Sequence, residues 1–279
     1  MTIAIETLTA DDAPRVMRLV EAAGWNQTPR DWLRMIGHQP QGCFKAVEAD
    51  QLVGTVTTTA YGLALGWIGM MLVDPQYRRA GFGTALMQRA LDYLSQQSVR
   101  SIYLDATPLG QPLYKKLGFE PEFVFQRWHR QGLPAVESVQ WNAGNQRIAS
   151  PTLDANHLVL DRQAFGVDRQ AWLERLAADS RVVTCTHGFG MVRSGRIASY
   201  LGPIVADSPS TATGLISALL ENVSSQVFWD IPGENHAVEP LARSLGFVPV
   251  RNLTRMWRCS PLTTARRELQ FALSDPATG

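Results

Sequence analysis

A basic turn that carries two glycines decides how this chain is interpreted. It is the segment Val73-Asp74-Pro75-Gln76-Tyr77-Arg78-Arg79-Ala80-Gly81-Phe82-Gly83-Thr84, called the basic turn below. An apolar run with the character of a strand precedes it. After it the apolar residues recur with the helical period, at Ala85, Leu86, Ala90, Leu91 and Leu94. The basic turn therefore joins a strand to the start of an amphipathic helix.

A turn of this composition can bind an anion. Its glycines allow a ligand to approach the backbone closely, at the positive end of the helix dipole, and Arg78 and Arg79 can add positive charge. Glycine spacing alone leaves open a plain strand-to-helix loop with two solvated arginines. A dinucleotide-binding fingerprint fits less well, because Leu86 stands at the third glycine position.

The segments around the basic turn alternate between strand and helix patterns. Upstream we predict a strand over 3–8, a capping box at 9–12 that opens a helix ended by Gly24, a short helix from Pro29, and a hairpin over 44–49 and 52–59. The predicted strand and helix that flank the turn cover 67–73 and 83–97. Downstream we predict a strand over 101–106, a short helix over 111–117 and a strand over 123–129, followed by a linker between 132 and 150.

The two halves of the chain repeat each other. Residues 112–121 align without gaps with residues 240–249, with six of ten positions identical, and the spacing from Gly69 through Asp74 to Gly81 recurs from Gly202 onward. A chain of 279 residues accommodates two domains of this size. We therefore predict two related domains, at 1–135 and 145–279.

Composition excludes several classes of protein. With 45% hydrophobic residues the chain can bury a core, and a formal net charge of +1 supplies no basic face for nucleic acid or a membrane. Three cysteines and five histidines show no metal-ligand spacing, so we expect no disulfide framework and no metal. The first residues lack a signal-peptide pattern and no apolar run is long enough to span a bilayer, so we expect a soluble, cytoplasmic protein.

The basic turn resembles the signature of the GNAT superfamily of N-acetyltransferases, Arg/Gln-x-x-Gly-x-Gly/Ala preceded by Val-x-Pro. Here it is Val73-Asp74-Pro75 with Arg78-Arg79-Ala80-Gly81-Phe82-Gly83, and the order of elements over about 1–130 is similar to that of the family. The resemblance implies an α/β (α+β) fold with two GNAT-like domains, each a mixed, mostly antiparallel sheet flanked by helices.

The resemblance also implies where acetyl-CoA would bind. The amides of residues 79–84 would hold the pyrophosphate. The strand around Met71, Leu72 and Val73 would pair with the pantetheine arm, beside a bulge near Met70 that splays two strands. The coenzyme-binding residues implied in this way are Met71, Leu72, Val73, Arg78, Arg79, Ala80, Gly81, Phe82, Gly83 and Thr84.

Tyr114 occupies the later helix, where the family commonly carries the acid that protonates the departing thiolate. A packed tyrosine without a catalytic role is the alternative. No Ser-His-Asp arrangement is visible, which favours direct transfer from the thioester over a covalent acyl-enzyme.

The residues that would handle the acceptor amine are less sharply marked. Trp25, Asn26 and Gln27 fall where the family lines its acceptor pocket, with a polar loop anchored by one tryptophan as the alternative. Asp105 is a candidate proton acceptor, as are Asp230 and Glu234 of the second half. Asp105 and Asp230 are counterparts in the repeat, and that correspondence favours a shared structural role.

The second half lacks the equivalent machinery. In the ungapped register Thr211 replaces Arg78, Ile216 replaces Gly83 and Ala242 replaces Tyr114, so we expect one coenzyme per chain. We predict that this degenerate domain supports the fold, dimerises or, preferably, walls the acceptor pocket.

The predicted function is acetyl-CoA-dependent transfer of an acetyl group directly to a primary amine. Small-molecule amines, amino acids, polyamines and protein amines all remain as acceptors, with a small molecule preferred. A noncatalytic acyl-CoA-binding sensor is the alternative, and the sequence leaves both a monomer and a homodimer open.

Overall fold

The computed structural model describes residues 3–132, 152–221, 223–233 and 235–279. They form two compact units. Unit 1 comprises Met1–Pro121, Met256–Pro261 and Pro276–Gly279, and unit 2 comprises Glu122–Arg255 and Leu262–Asp275. Two short later segments, 256–261 and 276–279, thus belong to unit 1. Of the predicted linker, residues 133–150 lie outside the described residues. The domain boundaries at 135 and 145 stay a prediction.

Unit 1 is a sheet with helices on both faces. Its helices are α1 (Ala13–Ala22), α2 (Pro29–His38), α3 (Phe82–Gln96) and α4 (Gln111–Lys116). Its strands are β1 (Ala4–Thr7), β2 (Cys43–Glu48), β3 (Gln51–Tyr61), β4 (Leu65–Val73) and β5 (Ser101–Ala106), paired in that order. All these pairs are antiparallel except the parallel pair of β4 and β5.

Local signals account for most of these elements. Thr9 and Asp12 form the predicted capping box before α1. Thr28 accepts a hydrogen bond from the amide of Asp31, and Pro29 opens α2. The predicted helices and strands of the first half are confirmed, with shifts of a few residues at their ends.

The two faces of the unit 1 sheet differ in what covers them. On one face, α3 and α4 pack over apolar residues of the strands such as Val56, Ile68 and Leu104. On the opposite face, the hydroxyl of Thr57 lies 3.7 Å from the sulfur of Met35 in α2. Because side chains alternate along a strand, Thr55, Trp67 and Gly69 share this second face, called the α2 face below.

Unit 2 contains the remaining strands and helices. Its helices are α5 (Ala155–Phe165), α6 (Gln170–Ala177), α7 (Pro209–Leu220) and α8 (Glu239–Ser244). Its strands are β6 (Glu120–Arg130), β7 (Arg181–Cys185), β8 (Gly188–Arg193), β9 (Ser199–Ala206), β10 (Val227–Ile231), β11 (Val248–Arg258) and β12 (Gln270–Ala272). The first two residues of β6 and the last three of β11 belong to unit 1.

The sheet of unit 2 has the order β11-β6-β10-β9-β8-β7, and β12 pairs with β9 outside this path. Parallel β9 and β10 correspond to β4 and β5 of unit 1. The predicted fold class, two mixed and mostly antiparallel sheets flanked by helices, is confirmed. Within the ranges that the structure describes, no helix has both the length and the apolar composition needed to cross a bilayer.

Candidate active site

The backbone of the basic turn contains two residues in the left-handed conformation. After a short 3-10 helix at Pro75–Tyr77, Arg79 and Gly81 have positive φ angles of 65° and 91°, and α3 begins at Phe82. Glycine adopts such angles without steric cost, whereas at Arg79 they are strained. Strain of this kind at a non-glycine residue is typical of a functional turn.

Asp74 anchors the start of the basic turn. Its carboxylate accepts a hydrogen bond from the amide of Gln76 at 2.9 Å and pairs with Arg18 of α1. Burial alone would raise the pKa of Asp74, but the hydrogen bonds from Gln76 and Arg18 outweigh it and lower the pKa below its ordinary value. The anchor is therefore ionised at neutral pH.

The first turn of α3 offers free backbone donors. Gly81 provides no side-chain cap, and within the described part of the chain no backbone carbonyl accepts a hydrogen bond from the amides of Phe82, Gly83 or Thr84. The side chain of Phe82 is buried, whereas Arg78, Arg79 and Ala80 are exposed beside these amides. The turn can thus bind a phosphate through its amides and add charge from its arginines.

Gly83 lies where three elements of unit 1 come close together. A Cβ at residue 83 would lie 3.2 Å from the terminal methyl of Met71 and 3.5 Å from Leu113 of α4. The end of β4, the start of α3 and α4 therefore meet around this glycine. The residues present fit the pyrophosphate and the upper pantetheine arm of coenzyme A.

A bulge opens the sheet next to the basic turn. Thr55 of β3 pairs with Leu72 and Thr57 pairs with Gly69, so β4 carries one extra residue at Met70 and Met71. Met70 has a positive φ of 49°. This is the predicted bulge.

β4 and β5 separate after Trp67 and Tyr103, just before the bulge. They pair through Leu65–Trp67 and Ser101–Tyr103, and no further pair joins these two strands in the described structure. The gap is called the β4–β5 opening below. It leaves the edge of Met71–Val73 without a strand partner on the β5 side, so an extended pantetheine arm can hydrogen-bond there.

Tyr114 lies in α4, one residue after Leu113. Its ring packs edge-on against Phe119 and lies against Gly110, and only 9% of the residue is exposed. Its hydroxyl has no hydrogen-bond partner among the described residues. Burial raises the pKa of Tyr114 to about 12, so the neutral phenol is the form present at pH 7.

The acceptor candidates of the first half lie in two places. Trp25 and Asn26 connect α1 to α2, and the next residue, Gln27, has a buried Oε1 atom without a hydrogen-bond partner in the described ranges. Asp105 lies near the end of β5. Alternation from Tyr103, whose ring stacks on Trp67 with centroids 5.9 Å apart, places Asp105 on the α2 face.

Asp230 has a different environment in unit 2. It is fully buried, and its carboxylate accepts hydrogen bonds from Arg127 at 2.7 and 2.6 Å and from the hydroxyl of Tyr200 at 2.7 Å. Removing one partner from such a buried pair is strongly destabilising. These contacts favour a structural role for Asp230 over proton transfer. Glu234 lies outside the described residues.

The connection between β9 and α7, which is fully described, contains no counterpart of the basic turn, a difference that the ungapped alignment did not reveal. In unit 1 residues 74–81 separate β4 from α3, whereas in unit 2 only Asp207 and Ser208 separate β9 from α7. Thr211 and Ile216 therefore lie inside a helix, and Ile216 does not occupy the position that Gly83 occupies in unit 1. Ser208 caps α7 by accepting from the amide of Thr211.

The unit 2 counterpart of the β4–β5 opening is filled by the chain itself. β9 carries the same kind of bulge, between its pairs Ile204 and Leu201, and pairs with β10 only up to Leu201. Beyond that point β12 pairs with Ile204 and Val205 of β9, and the amide of Leu273 donates to the carbonyl of Asp230 in β10 at 3.0 Å. β12 thus lies where unit 1 leaves a free strand edge.

Two features of the candidate site are not predicted from the sequence. The hydroxyl of Thr55 bonds the bulge, and residues 276–279 pack on the α2 face. Neither feature has a local sequence signal, because each depends on contacts between distant parts of the chain.

Comparisons with known proteins agree with this geometry. A model described as "Acetyltransferase (GNAT) family" matches residues 8–119, and one described as "Acetyltransferase (GNAT) domain" matches residues 158–272. The uncharacterised N-acetyltransferase YitH of Bacillus subtilis is 24% identical over 245 residues, which are 83% of each chain. The holothin acyltransferase of a Pseudoalteromonas species is 24% identical over 249 residues, 85% of this chain and 81% of that protein.

A solved structure is similar to this chain over nearly its whole length. A Pyrococcus horikoshii protein provisionally named an acetyltransferase superposes with a TM-score of 0.85 at 26% identity, over 99% of this chain and 96% of its own. Both halves of this chain match GNAT models, and among the described residues only those of unit 1 form the turn and the open strand edge. The chain is a tandem member of the GNAT acetyltransferases.

Proposed function

We propose that the protein transfers an acetyl group from acetyl-CoA directly to the primary amine of a small molecule, and that unit 1 alone performs the reaction. The observation that carries the proposal is the combination of free amides at the start of α3 with the free strand edge at Met71–Val73. One group binds phosphate and the other binds an extended amide-containing arm, as coenzyme A requires.

Donor binding would use the backbone more than side chains. The amides of residues 79–84 would hold the pyrophosphate, with charge from Arg78 and Arg79. Met71, Leu72 and Val73 would pair with the pantetheine arm. Acetyl-CoA supplies an activated thioester in this arrangement, and the chain supplies its orientation.

The reaction requires two groups of the chain, one that stabilises the leaving thiolate and one that accepts the proton of the amine. The amine nitrogen forms a bond to the acyl carbon, the carbon–sulfur bond breaks, and the thiolate takes up a proton. With a pKa of about 12, Tyr114 is a weaker acid than a thiol, so it would stabilise the developing thiolate by donating a hydrogen bond. Asp105, on the α2 face, would accept the proton that the amine loses, directly or through water.

A relative whose similarity extends over both halves of the chain supports a small-molecule acceptor. Holothin acyltransferase matches over both halves of the chain. We propose that Trp25 and Asn26 line the acceptor pocket, that the second domain supports the first without binding coenzyme, and that the protein acts in the cytoplasm, where its three free thiols stay reduced.

An amine screen tests the proposal. Purified protein with acetyl-CoA and a panel of aliphatic amines, amino acids, polyamines, aminosugars and short peptides should release free coenzyme A with at least one small amine. If the free thiol of coenzyme A is detected with a disulfide reagent, exposed Cys259 would also react with it. The assay should therefore use the Cys259→Ser variant. Acetyl-CoA binding without transfer to any acceptor would instead support an acyl-CoA sensor.

A further inference from the structure

We propose that residues 276–279 close part of the acceptor side of unit 1 and thereby restrict the acceptor to a compact amine, excluding extended peptides. The inference rests on the proposed function, because it concerns the acceptor of that same site. It is carried by four residues, Pro276-Ala277-Thr278-Gly279, that belong to unit 1.

The segment is held on the sheet by hydrogen bonds to its backbone carbonyls. The hydroxyl of Tyr61 donates to the carbonyl of Thr278 at 2.7 Å, and the indole nitrogen of Trp67 donates to the carbonyl of Pro276 at 3.1 Å. Ala277 is 4% exposed and Thr278 is fully buried. The segment therefore lies on the sheet as a bound peptide would.

Gly69 permits this close contact. A Cβ at residue 69 would lie 2.3 Å from the carbonyl oxygen of Ala277, closer than real Cβ atoms come to any heavy atom. Gly69 immediately precedes the bulge at Met70 and lies just past Trp67, the last residue of β4 that pairs with β5. The segment thus lies beside the opening and on the α2 face.

The α2 face is the side from which an amine can approach. On the opposite face, α3 and α4 pack against the strands with apolar side chains that include Leu86 and Tyr114. An acceptor that meets a thioester in the β4–β5 opening must therefore come over the α2 face. An extended peptide on that face would need the surface of Tyr61, Trp67 and Gly69, which residues 276–279 already cover.

A compact and polar acceptor remains compatible with this arrangement. The Oε1 atom of Gln27 and the hydroxyl of Thr278 are buried in unit 1 without hydrogen-bond partners in the described ranges. Buried polar atoms are normally bonded, and a small acceptor with polar groups besides its amine can satisfy such atoms.

Two variants test the inference. One lacks residues 276–279, and the other, Tyr61→Phe with Trp67→Phe, removes both anchoring hydrogen bonds while it keeps aromatic rings in place. Tyr93→Phe is the control, because it removes a hydroxyl bonded to Gln39 at 2.6 Å near α3. In the double variant the amides of residues 277–279 should exchange with solvent faster than in wild type and control.

The acceptor preference provides the second measurement. The ratio of kcat/KM for a hexapeptide N-terminus to kcat/KM for the best small amine should rise by about tenfold or more in both variants, as expected when a steric block is removed. It should stay unchanged in Tyr93→Phe. Equal use of peptides and small amines by the wild type, or an unchanged ratio in both variants, would overturn the inference.

A binding measurement separates this inference from the proposed function. The synthetic tetrapeptide Pro-Ala-Thr-Gly should bind the chain that lacks residues 276–279, detected by isothermal titration calorimetry, and should not bind the full chain. This result holds even if no amine is acetylated, in which case only the proposed function fails. Absence of binding to the folded, shortened chain would contradict the closure.

Discussion

The hydroxyl of Thr55 donates a 2.9 Å hydrogen bond to the carbonyl oxygen of Met70, the residue that forms the bulge in β4. Both residues are buried, and the bond crosses from the neighbouring strand to a carbonyl displaced from the regular ladder. The bulge lies at the β4–β5 opening, so this hydroxyl supports the shape of the region where we propose that the coenzyme binds.

Thr55→Val should therefore weaken coenzyme binding as well as the fold. Loss of one buried hydrogen bond costs about 1 kcal/mol of unfolding free energy, and we expect the dissociation constant for acetyl-CoA to rise several-fold. Thr58→Val is the matched control, because its hydroxyl also bonds a carbonyl at 2.9 Å, that of Gly42, away from the bulge. Calorimetry on both variants checks this, and equal coenzyme affinities in both would show that the bulge does not need Thr55.

Gly83→Ile should prevent coenzyme binding while the protein stays folded. The new side chain would meet the flexible end of Met71, which can move, but it would cover the amides that face the phosphate. We expect the dissociation constant to rise about a hundredfold, since each lost charge-assisted hydrogen bond costs about 1.5–3 kcal/mol. Gly83→Ala should have an intermediate effect. Unchanged affinity in the isoleucine variant, measured by calorimetry, would locate the pyrophosphate elsewhere.

One coenzyme should bind per chain. Unit 2 has Asp207 and Ser208 in place of the basic turn, and β12 occupies the edge of β9 that corresponds to the free edge of β4 at Met71–Val73. Titration of coenzyme A into the protein should give a stoichiometry near one. Gly83→Ile should abolish this single binding event. A stoichiometry near two would mean that β12 leaves unit 2.

Tyr114→Phe should lower turnover without changing coenzyme affinity. If the phenol stabilises the leaving thiolate, its removal lowers kcat by about tenfold to a thousandfold, whereas a packing role predicts little effect because phenylalanine keeps the ring. Tyr93→Phe controls for the loss of a tyrosine hydroxyl near α3. Single-turnover rates with saturating acetyl-CoA distinguish the two roles. A wild-type rate in the variant would show that the Tyr114 hydroxyl does not stabilise the leaving thiolate.

The same variant should change how stability depends on pH. The pKa of Tyr114 is raised from its ordinary value of 10 to about 12 by burial, so the neutral phenol favours the folded state. This contribution is fully present below pH 10 and is lost as the pH rises from 10 towards 12.

Buried Cys43, whose pKa burial also raises to about 12, titrates in an overlapping range in both proteins. The difference between wild type and Tyr114→Phe therefore isolates Tyr114. Between about pH 9 and 11.5 the wild type should lose about 2 kcal/mol more unfolding free energy than the variant, measured by urea denaturation. Parallel stability curves would indicate that the phenol is already solvated in the folded state.

The amino-acid sequence by itself determined the elements of the first half and the character of its site. Helix caps such as Thr28-Pro29, alternation in strands and the glycines of the basic turn act over a few residues, so each can be recognised locally. The repeat of residues 112–121 at 240–249 likewise identified α4 and α8 as counterparts.

The tertiary structure alone decided what the segment 270–279 does. Phe271 and Leu273 fill the core of unit 2 beside β9, and Ala277 lies against Gly69 in unit 1. It also showed that Ile216 lies within α7, where the ungapped alignment had placed it opposite Gly83. These facts depend on contacts between residues up to about two hundred positions apart. Such contacts are set by packing and loop length, and no local periodicity encodes them.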